Sequence, residues 1–337
     1  METITSKIYT LSNPRELYLK EEILDPASIK EDELIAKTIY SAISPGTEVA
    51  AYCGVEPLRD DVSIYPRLVG YCNLAQIIHK GSAVENWKIG DYILTFQSHR
   101  SHFKCRTSDF LIKINPDFLK ESVVAYLYHL GFHSILTANL QAGHNVAVLG
   151  LGVLGYTTAI FSKNAGANVF TFSNQKKHQE LLESKGINFF PKTLDSIKEI
   201  EAMTDGVGID IVINTSNSWS DWALALNYVN KGGTIVNLGF PGRGQDAPNF
   251  NPLDPKFLYT KNVTIKYLSP LNVRGVEADI QRFNRERNLS HILNLIENSS
   301  INSTEIITSE IDYTELESQY KLYESQTKNL FSTLIKW

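Results

Sequence analysis

The chain has 337 residues, of which 43% are hydrophobic, and a formal net charge of −5. Its length suits two domains, and its acidic balance argues against a nucleic-acid partner, which would need a Lys/Arg surplus on one face. No apolar run reaches the roughly 18 residues of a membrane helix, and residues 1–7 are polar. Cys53, Cys72 and Cys105 form no CxxC pair. We therefore expect a reduced, cytoplasmic enzyme with no membrane or nucleic-acid partner.

Short apolar runs separated by Gly and Pro turns dominate the first third of the chain. Such runs, bounded by turn residues, predict β-strands. They fall at residues 35–40, 68–78, 92–96 and 110–114. The pattern favours a small, mostly antiparallel barrel or sandwich over residues 1–117.

From residue 118 to about 258, segments of helical length alternate with short apolar strands. The predicted strands are residues 146–149, 168–172, 209–213 and 234–238, and the clearest helices are 154–165 and 175–184. Strands that alternate with helices imply crossover connections and a parallel sheet. The fold class is therefore α/β, with a doubly wound parallel sheet in this domain.

Beyond a Pro-rich stretch at 241–255, residues 259–337 return to mixed elements. We predict a strand at 263–267, helices at 285–298 and 314–323, and a last strand at 332–336. This tail is expected to complete the N-terminal domain, which makes that domain discontinuous, with limits of 1–117 and 259–337.

The strongest motif is the glycine turn Gly150, Gly152 and Gly155, which fits G-x-G-x-x-G between a predicted strand and a predicted helix. The first glycine permits the tight turn, the second lets the backbone approach a pyrophosphate, and the third lets helix and strand pack closely. The amides of Val153 and Leu154 at the helix start would then face phosphate oxygens. The alternative is a glycine-rich turn without a ligand.

The end of the second strand of this domain predicts which cofactor binds. An Asp or Glu there would bind a free ribose 2′-hydroxyl, but the sequence places Ser173, Asn174, Lys176 and Lys177 after the strand. Because a carboxylate would repel a 2′-phosphate and these residues would not, NADP(H) is favoured over NAD(H). The alternative is a solvated helix start, although cations are mildly unfavourable in a first helical turn.

With these motifs in place, the chain resembles the medium-chain dehydrogenase/reductase superfamily over nearly its full length. Residues 44–48 look like that family's Cys-Gly-Thr-Asp-x-His stretch, 68–72 like Gly-His-Glu, and 90–93 like Gly-Asp-Arg-Val. Residues 231–241 look like the segment whose Gly-x-Pro end touches the nicotinamide. The resemblance implies a Rossmann domain and a GroES-like β-barrel domain. It also implies cofactor contacts from four more residues: Thr215, Gly239, Phe240 and Pro241.

The departures from the family pattern concern its zinc site. A catalytic zinc needs thiolate, imidazole or carboxylate ligands, whereas the family's Cys position falls on Pro45, its His on Tyr71 and its acid on Cys72. The relay His falls on Ala50. The resemblance therefore implies a member without zinc. The sequence of residues 44–48, together with His99 and Arg285, most resembles a subgroup of bacteriochlorophyllide-type hydroxyethyl dehydrogenases.

Five residues are candidates for the proton chemistry. Thr47 matches the family's relay hydroxyl, Glu48 follows it, and Tyr71 stands at the former metal position by resemblance. His99 and His129 are candidate proton donors because imidazole titrates near neutral pH. The alternatives are a structural carboxylate for Glu48, a packing role for Tyr71, and buried, satisfied histidines.

The spacing His99, His102 and Cys105 invites a metal site, but we expect none. The segment lies between predicted strands, where side chains three residues apart point to opposite faces.

The leading functional hypothesis is a zinc-independent, NADP(H)-dependent oxidoreductase acting on a carbonyl/alcohol pair of a medium-sized substrate. One alternative is a carbon–carbon double-bond reductase of the enoyl or quinone type. A second is a non-catalytic NADPH-binding protein, against which the intact glycine turn and Thr47 argue. By resemblance, the strand at 263–267 forms the sheet edge through which two chains pair, so we expect a homodimer.

Overall fold

The computed structural model describes residues 2–55, 64–176, 178–268, 282–325 and 330–337. No helix in these ranges is long and apolar enough to cross a membrane. The strands are β1 (Ile4–Asn13), β2 (Glu16–Leu24), β3 (Glu33–Ala42), β4 (Arg67–Leu68), β5 (Cys72–Lys80), β6 (Tyr92–Thr95), β7 (His102–Arg106), β8 (Ile112–Ile114), β9 (Asn145–Leu149), β10 (Asn168–Phe172), β11 (Asn188–Phe190), β12 (Ile209–Asn214), β13 (Val229–Asn237), β14 (Thr264–Tyr267), β15 (Ile307–Asp312) and β16 (Ser332–Lys336). The α-helices are α1 (Pro45–Tyr52), α2 (Leu119–Ser122), α3 (Ala125–Ala138), α4 (Val153–Asn164), α5 (Gln179–Ser184), α6 (Ser196–Met203), α7 (Trp219–Tyr228), α8 (Pro255–Lys261), α9 (Arg285–Glu297) and α10 (Leu316–Ser325).

The chain forms two compact units, one of Met1–Tyr126 with Asn272–Trp337 and one of Leu127–Leu271. The first unit holds a sheet in the order β15-β16-β3-β5-β6-β8, with β7 paired to β3, and a smaller sheet in the order β2-β1-β4. Because β16 pairs with β3, this unit takes strands from both ends of the chain. The predicted domain limits of 1–117, 118–258 and 259–337 stay a prediction.

Two apolar clusters form the core of the first unit. One lies under β3, β5 and β6 and includes Leu34, Ala75 and Ile93. The other packs Tyr52 of α1 against Tyr320 of α10 and includes Leu11 of β1. The second cluster therefore connects α1, which carries two of the candidate catalytic residues, to the C-terminal part of the chain.

The second unit is a six-stranded parallel sheet in the order β11-β10-β9-β12-β13-β14. The central strand β9 is buried along its whole length, as expected for an apolar run covered on both faces. The chain moves outward from β9 in one direction through β10 and β11, and in the other through β12 and β13. This reversal creates the switch point at which doubly wound sheets bind ligands. The predicted α/β class, with a Rossmann sheet and a separate β domain, is confirmed.

Three local predictions differ from the structure for identifiable reasons. The predicted strand 68–78 is broken between β4 and β5, where Gly70 adopts φ +86°. The sequence Ser44-Pro45-Gly46 predicts a turn, but the residues after Ser44 form helix α1, which begins at Pro45, a favourable first helical residue. The helix predicted from residue 175 begins at Gln179, since the Ser173 hydroxyl accepts a hydrogen bond from the Gln175 amide and holds a turn.

Candidate functional site

The glycine turn lies at the carboxyl end of β9. Gly150 adopts φ +89°, and its amide donates to the Phe172 carbonyl oxygen at 3.1 Å. A Cβ built on Gly155 would lie 1.8 Å from the Gly150 carbonyl oxygen, whereas a Cβ built on Gly152 would meet nothing within 4 Å. The protein's own packing therefore requires glycine at 150 and 155. At 152 the space beside the backbone is open, which is the geometry that lets a pyrophosphate approach.

Thr215 secures this turn from the neighbouring strand. Its amide donates to the Leu149 carbonyl oxygen at 3.0 Å, and its hydroxyl lies 2.9 Å from that oxygen and 3.1 Å from the Gly150 carbonyl oxygen. The hydroxyl can donate only one proton, and both acceptors belong to the turn. The structure therefore gives Thr215 a role in shaping the turn.

Residues 239–241, the predicted nicotinamide segment, follow β13 at the same carboxyl end of the sheet as the glycine turn. A Cβ on Gly239 would lie 2.5 Å from the Ser216 carbonyl oxygen, so glycine is required there. The Phe240 amide donates to Asn217 Oδ1 at 2.8 Å, and the Phe240 ring is exposed. Pro241 is half-buried. This segment is thus held against the end of β12, close to the residues that secure the glycine turn.

The residues after β10 are open to solvent. Asn174 and Lys176 are exposed, Ser173 is half-buried, and Lys177 lies outside the described residues. A bound 2′-phosphate would meet a hydroxyl, an amide and an ammonium group there, and no carboxylate between residues 173 and 177. The donor set fits a phosphorylated ribose.

In the first unit, Glu48 of α1 is the centre of a buried hydrogen-bond network. Its Oε1 accepts from the Ser44 amide at 2.7 Å. Its Oε2 accepts from His99 Nε2 at 2.8 Å and from the Tyr320 hydroxyl at 2.5 Å. Glu48 is 2% exposed, and His99 and Tyr320 are fully buried. Three separate parts of the chain therefore converge on one carboxylate.

The network continues on the other side of the His99 ring. His99 Nδ1 lies 2.9 Å from Ser41 Oγ, and Trp337 Nε1 donates to the same oxygen at 2.9 Å. An indole N–H can only donate and a carboxylate can only accept. A neutral His99 therefore carries its proton on Nε2, directed at Glu48, and its Nδ1 accepts the Ser41 hydroxyl proton.

Tyr71 lies beside this network without joining it. Its hydroxyl donates to Ser44 Oγ. Its ring packs edge-on against Tyr126 at 5.4 Å between centroids, and Tyr126 packs against Phe96 at 4.7 Å. All three rings are half-buried. Burial raises the pKa of the Tyr71 phenol well above its usual value, so the phenol stays protonated at neutral pH.

The residues at the family's zinc position do not fit a zinc ion. Pro45 offers no ligating side-chain atom, and Tyr71 presents a neutral phenol bound to Ser44. Burial raises the pKa of the Cys72 thiol well above its usual value, which disfavours the thiolate that zinc needs. Within the ranges that the structure describes, no group of three His, Cys, Asp or Glu side chains could hold a metal.

The other candidates lie in different surroundings. Thr47 is exposed on the first turn of α1. His129 is 2% exposed on α3, with its ring centroid 5.8 Å from that of His133. Cys105 packs into the core under β3, where burial raises its pKa to about 12, whereas His102 contacts the Ser101 hydroxyl. His99, His102 and Cys105 thus have separate surroundings.

Sequence reasoning missed three members of the network: Ser41, Tyr320 and Trp337. None belongs to a motif, and their contacts are distant in sequence: Ser41 is 58 positions from His99, Tyr320 is 272 from Glu48, and Trp337 is 296 from Ser41. The one local signal is Ser44 followed four residues later by Glu48, a spacing close to that of a helix capping box.

A parallel sheet with a glycine turn at the end of its central strand, in a chain that also forms a β-rich unit, is typical of dinucleotide-binding proteins of the dehydrogenase type. Residues 153–282 match the zinc-binding dehydrogenase family. The chain is 22% identical to an uncharacterized zinc-type alcohol dehydrogenase-like protein of Haemophilus influenzae, over 93% of each chain. It is 23% identical to sorbitol dehydrogenase of Bacillus subtilis, over 77% of this chain and 80% of that protein.

A solved structure has the same fold. A putative zinc-binding dehydrogenase from Sinorhizobium meliloti, bound to NADP, superimposes with a TM-score of 0.76 at 16% identity, covering 99% of this chain and 100% of that one. The predicted resemblance to the medium-chain dehydrogenase/reductase superfamily is confirmed. The relatives support an oxidoreductase of this kind that uses a nicotinamide cofactor. The hydroxyethyl dehydrogenase subgroup stays a prediction.

Proposed function

We propose that the protein is a zinc-independent, NADP(H)-dependent oxidoreductase that transfers a hydride between the nicotinamide and a carbonyl/alcohol group of a medium-sized substrate. The observation that carries this proposal is the glycine turn, where Gly150 and Gly155 are fixed by packing and Gly152 is left open. We assign cofactor binding to the predicted residues around it: Val153, Leu154, Ser173, Asn174, Lys176, Lys177, Thr215, Gly239, Phe240 and Pro241.

Tyr71 is the proposed proton donor. Bound NADPH would supply the hydride for reduction of a carbonyl carbon. The carbonyl oxygen then gains negative charge and needs a proton, which the protonated Tyr71 hydroxyl can give. The Ser44 hydroxyl, which accepts from Tyr71 in this structure, can turn and donate to the resulting tyrosinate. The half-buried Tyr126 and Phe96 rings beside Tyr71 favour a substrate with an apolar body.

The preference for NADP(H) rests on the residues after β10. Lys176 and Lys177 carry the positive charge that a 2′-phosphate needs, and no acid opposes it. The NADP bound to the Sinorhizobium meliloti relative supports the same choice. NADPH should bind at least about tenfold more tightly than NADH, the equivalent of one charge-assisted hydrogen bond.

A calorimetric titration with both cofactors, followed by turnover assays, tests this proposal. One panel holds aldehydes and ketones and the other holds enones, each in small and ring-bearing versions. NADPH oxidation with the carbonyl panel is the expected result. Equal affinity for NADPH and NADH would reject the cofactor assignment, and turnover of enones alone would replace the proposal with double-bond reduction.

Double-bond reduction is the second candidate, because the residues at the zinc position do not fit the metal. An enone spreads the developing charge onto a remote oxygen, so it needs less from the protein at the reacting carbon. A chain that binds NADPH tightly and reduces neither panel would instead be a non-catalytic NADPH-binding protein.

We also propose a homodimer through β14, which lies at the edge of the parallel sheet. An open edge strand offers amides and carbonyls that a second copy can pair. Tyr267 on this strand and Tyr259 on the preceding helix are 55% and 88% exposed. Light scattering should give twice the chain mass of 37.9 kDa. Tyr267→Asp should halve that mass, whereas Ile23→Asp, at an exposed site on β2, should not; a wild-type monomer would reject the proposal.

A further inference from the structure

We propose that Glu48, His99, Ser41 and Tyr320 form a positioning network that holds the Ser44–Tyr71 hydroxyl pair in place. This inference rests on the proposed function, since it assigns these residues a role in support of Tyr71. It gives Glu48 and His99 a positioning role and adds Tyr320 and Ser41, which no motif indicates.

The hydrogen bonds of the network converge and therefore cannot relay a proton. His99 and Tyr320 both donate to Glu48 Oε2. At the other end, Trp337 Nε1 donates to Ser41 and, as an indole N–H, has no acceptor function through which it could take up a proton. A relay needs members that each accept and donate in one direction. This network directs protons toward one buried carboxylate from both sides, which is the pattern of a fixed scaffold.

The network determines what Ser44 can do. A serine at a helix N-cap ordinarily accepts a hydrogen bond from an amide of the first turn, but Ser44 makes no such side-chain bond. Instead, Glu48, the fourth helical residue, accepts from the Ser44 backbone amide, as the third helical residue does in a capping box. The Ser44 hydroxyl is thereby left for Tyr71. The usual N-cap hydrogen bond is therefore absent at Ser44, which belongs to the proposed Ser44–Tyr71 pair, and such departures are expected at functional sites.

The network also holds the Tyr71 side of the pair. A Cβ on Gly70 would lie 2.7 Å from three atoms of the His99 ring, so the backbone just before Tyr71 packs directly against that ring. The His99 amide donates to the Val69 carbonyl oxygen at 2.8 Å. His99 thus fixes the segment that carries Tyr71, while Glu48 fixes the turn that carries Ser44.

Burial makes the arrangement rigid. Glu48, His99, Ser41 and Tyr320 are each at most 2% exposed, and an unsatisfied polar group at such sites is costly. Both carboxylate oxygens and both ring nitrogens have partners here. Removal of one hydroxyl at the edge of the network should therefore shift its remaining members.

The test compares two single-atom deletions on the same helix. Tyr320→Phe removes a hydroxyl bound to Glu48 and keeps the ring that packs on Tyr52. Tyr323→Phe is the matched control, because its hydroxyl bonds to Phe331 and Thr333 and not to Glu48. Both variants should lose similar thermal stability. Tyr320→Phe should lower kcat about tenfold with NADPH affinity unchanged, while Tyr323→Phe should leave kcat near wild type.

A double-mutant cycle separates positioning from general damage. In a Tyr71→Phe background, Tyr320→Phe should reduce kcat no further, because the group that it positions is gone. Equal kcat in Tyr320→Phe and Tyr323→Phe, or an undiminished Tyr320→Phe effect without the Tyr71 hydroxyl, would overturn the inference. A Tyr71→Phe variant with full activity would instead reject Tyr71 as the proton donor.

The hydrogen bonds of the network can also be tested without a substrate. Nitrogen-15 NMR of the histidine side chains should show a proton on His99 Nε2, with that signal perturbed in Tyr320→Phe and unchanged in Tyr323→Phe. His99 protonated on Nδ1 alone would contradict the network whatever the activity assays show.

Discussion

The glycine turn after β9 and the polar network around Glu48 are built on different principles. The turn depends on the backbone: Gly150 adopts φ +89°, and a Cβ on Gly155 would lie 1.8 Å from the Gly150 carbonyl oxygen, five residues earlier. The network depends on side chains that are far apart in sequence, since Glu48 and Tyr320 are 272 positions apart. The glycine turn is therefore specified locally, whereas the polar network is assembled from distant parts of the chain.

The largest expected effect comes from alanine substitutions in the glycine turn, which distinguish a glycine required by packing from one required for cofactor binding. Gly155→Ala would place a Cβ 1.8 Å from the Gly150 carbonyl oxygen, so the backbone must move, at a cost of roughly 4 kcal/mol or more. Gly152→Ala meets nothing within 4 Å, so it should keep the wild-type melting temperature and lose at least about tenfold in NADPH affinity. Thermal melts and calorimetry decide. A destabilised Gly152→Ala, or one with full affinity, would contradict this account of the turn.

The next effect concerns the network. Gly70→Ala combines a backbone at φ +86° with a contact 2.7 Å from the His99 ring, and should lower the free energy of unfolding by about 2–4 kcal/mol. Gly90→Ala is the control, with φ +95° and no neighbour within 4 Å, and should cost only about 1–2 kcal/mol of backbone strain. Urea titrations measure both. Equal losses would show that His99 does not pack tightly against Gly70.

A smaller effect appears at high pH in the cluster that connects α1 to α10. Burial raises the pKa of Tyr9 to about 12, from about 10 in the unfolded chain. The unfolded state therefore loses its proton first, and stability should fall as pH rises from about 10 to 12, by about 2 kcal/mol in all. Tyr9→Phe removes this contribution, so its stability should depend less steeply on pH in that range. An identical slope in the two proteins would rule out Tyr9 as the cause.

The smallest effect tests the edge of the cofactor site. Lys176 is exposed, so Lys176→Gln should weaken NADPH binding by only about 1 kcal/mol, and less at high salt. NADH binding should be unchanged. Lys185→Gln, just beyond the end of α5, is the control and should affect neither cofactor. A loss that is the same for NADPH and NADH would mean that Lys176 does not contact a 2′-phosphate.

The sequence predicted most of the parallel sheet because its signals are local. The run 168–172 and the last strand 332–336 were predicted with the bounds that the structure shows, since apolar runs and turn residues report directly on buried strands. The edge position of residues 263–267 was also predicted. Start points that depend on side-chain turns, such as that of α5, were placed too early.

The candidate site was likewise predictable only where its signals are local. The G-x-G-x-x-G spacing indicated the cofactor turn, because each glycine answers a backbone requirement within the motif. The partners of Glu48 could not be found in this manner. Tyr320 and Ser41 are common residues in segments without a motif, and only tertiary packing brings Tyr320 to the Glu48 carboxylate and Ser41 to His99 Nδ1. Buried networks of this kind are set by tertiary structure and leave no spacing pattern.

The central proposal is that the Tyr71 hydroxyl supplies the proton without a metal, in a chain that has a dinucleotide-binding glycine turn. The most direct measurement is carbonyl reduction by metal-stripped wild-type protein and by Tyr71→Phe, with NADPH affinity measured for both. We predict full activity without metal in the wild type, and at least about a hundredfold loss in Tyr71→Phe at unchanged NADPH affinity, as expected for a lost general acid. Activity that returns only when zinc is added, and that Tyr71→Phe retains, would contradict the account.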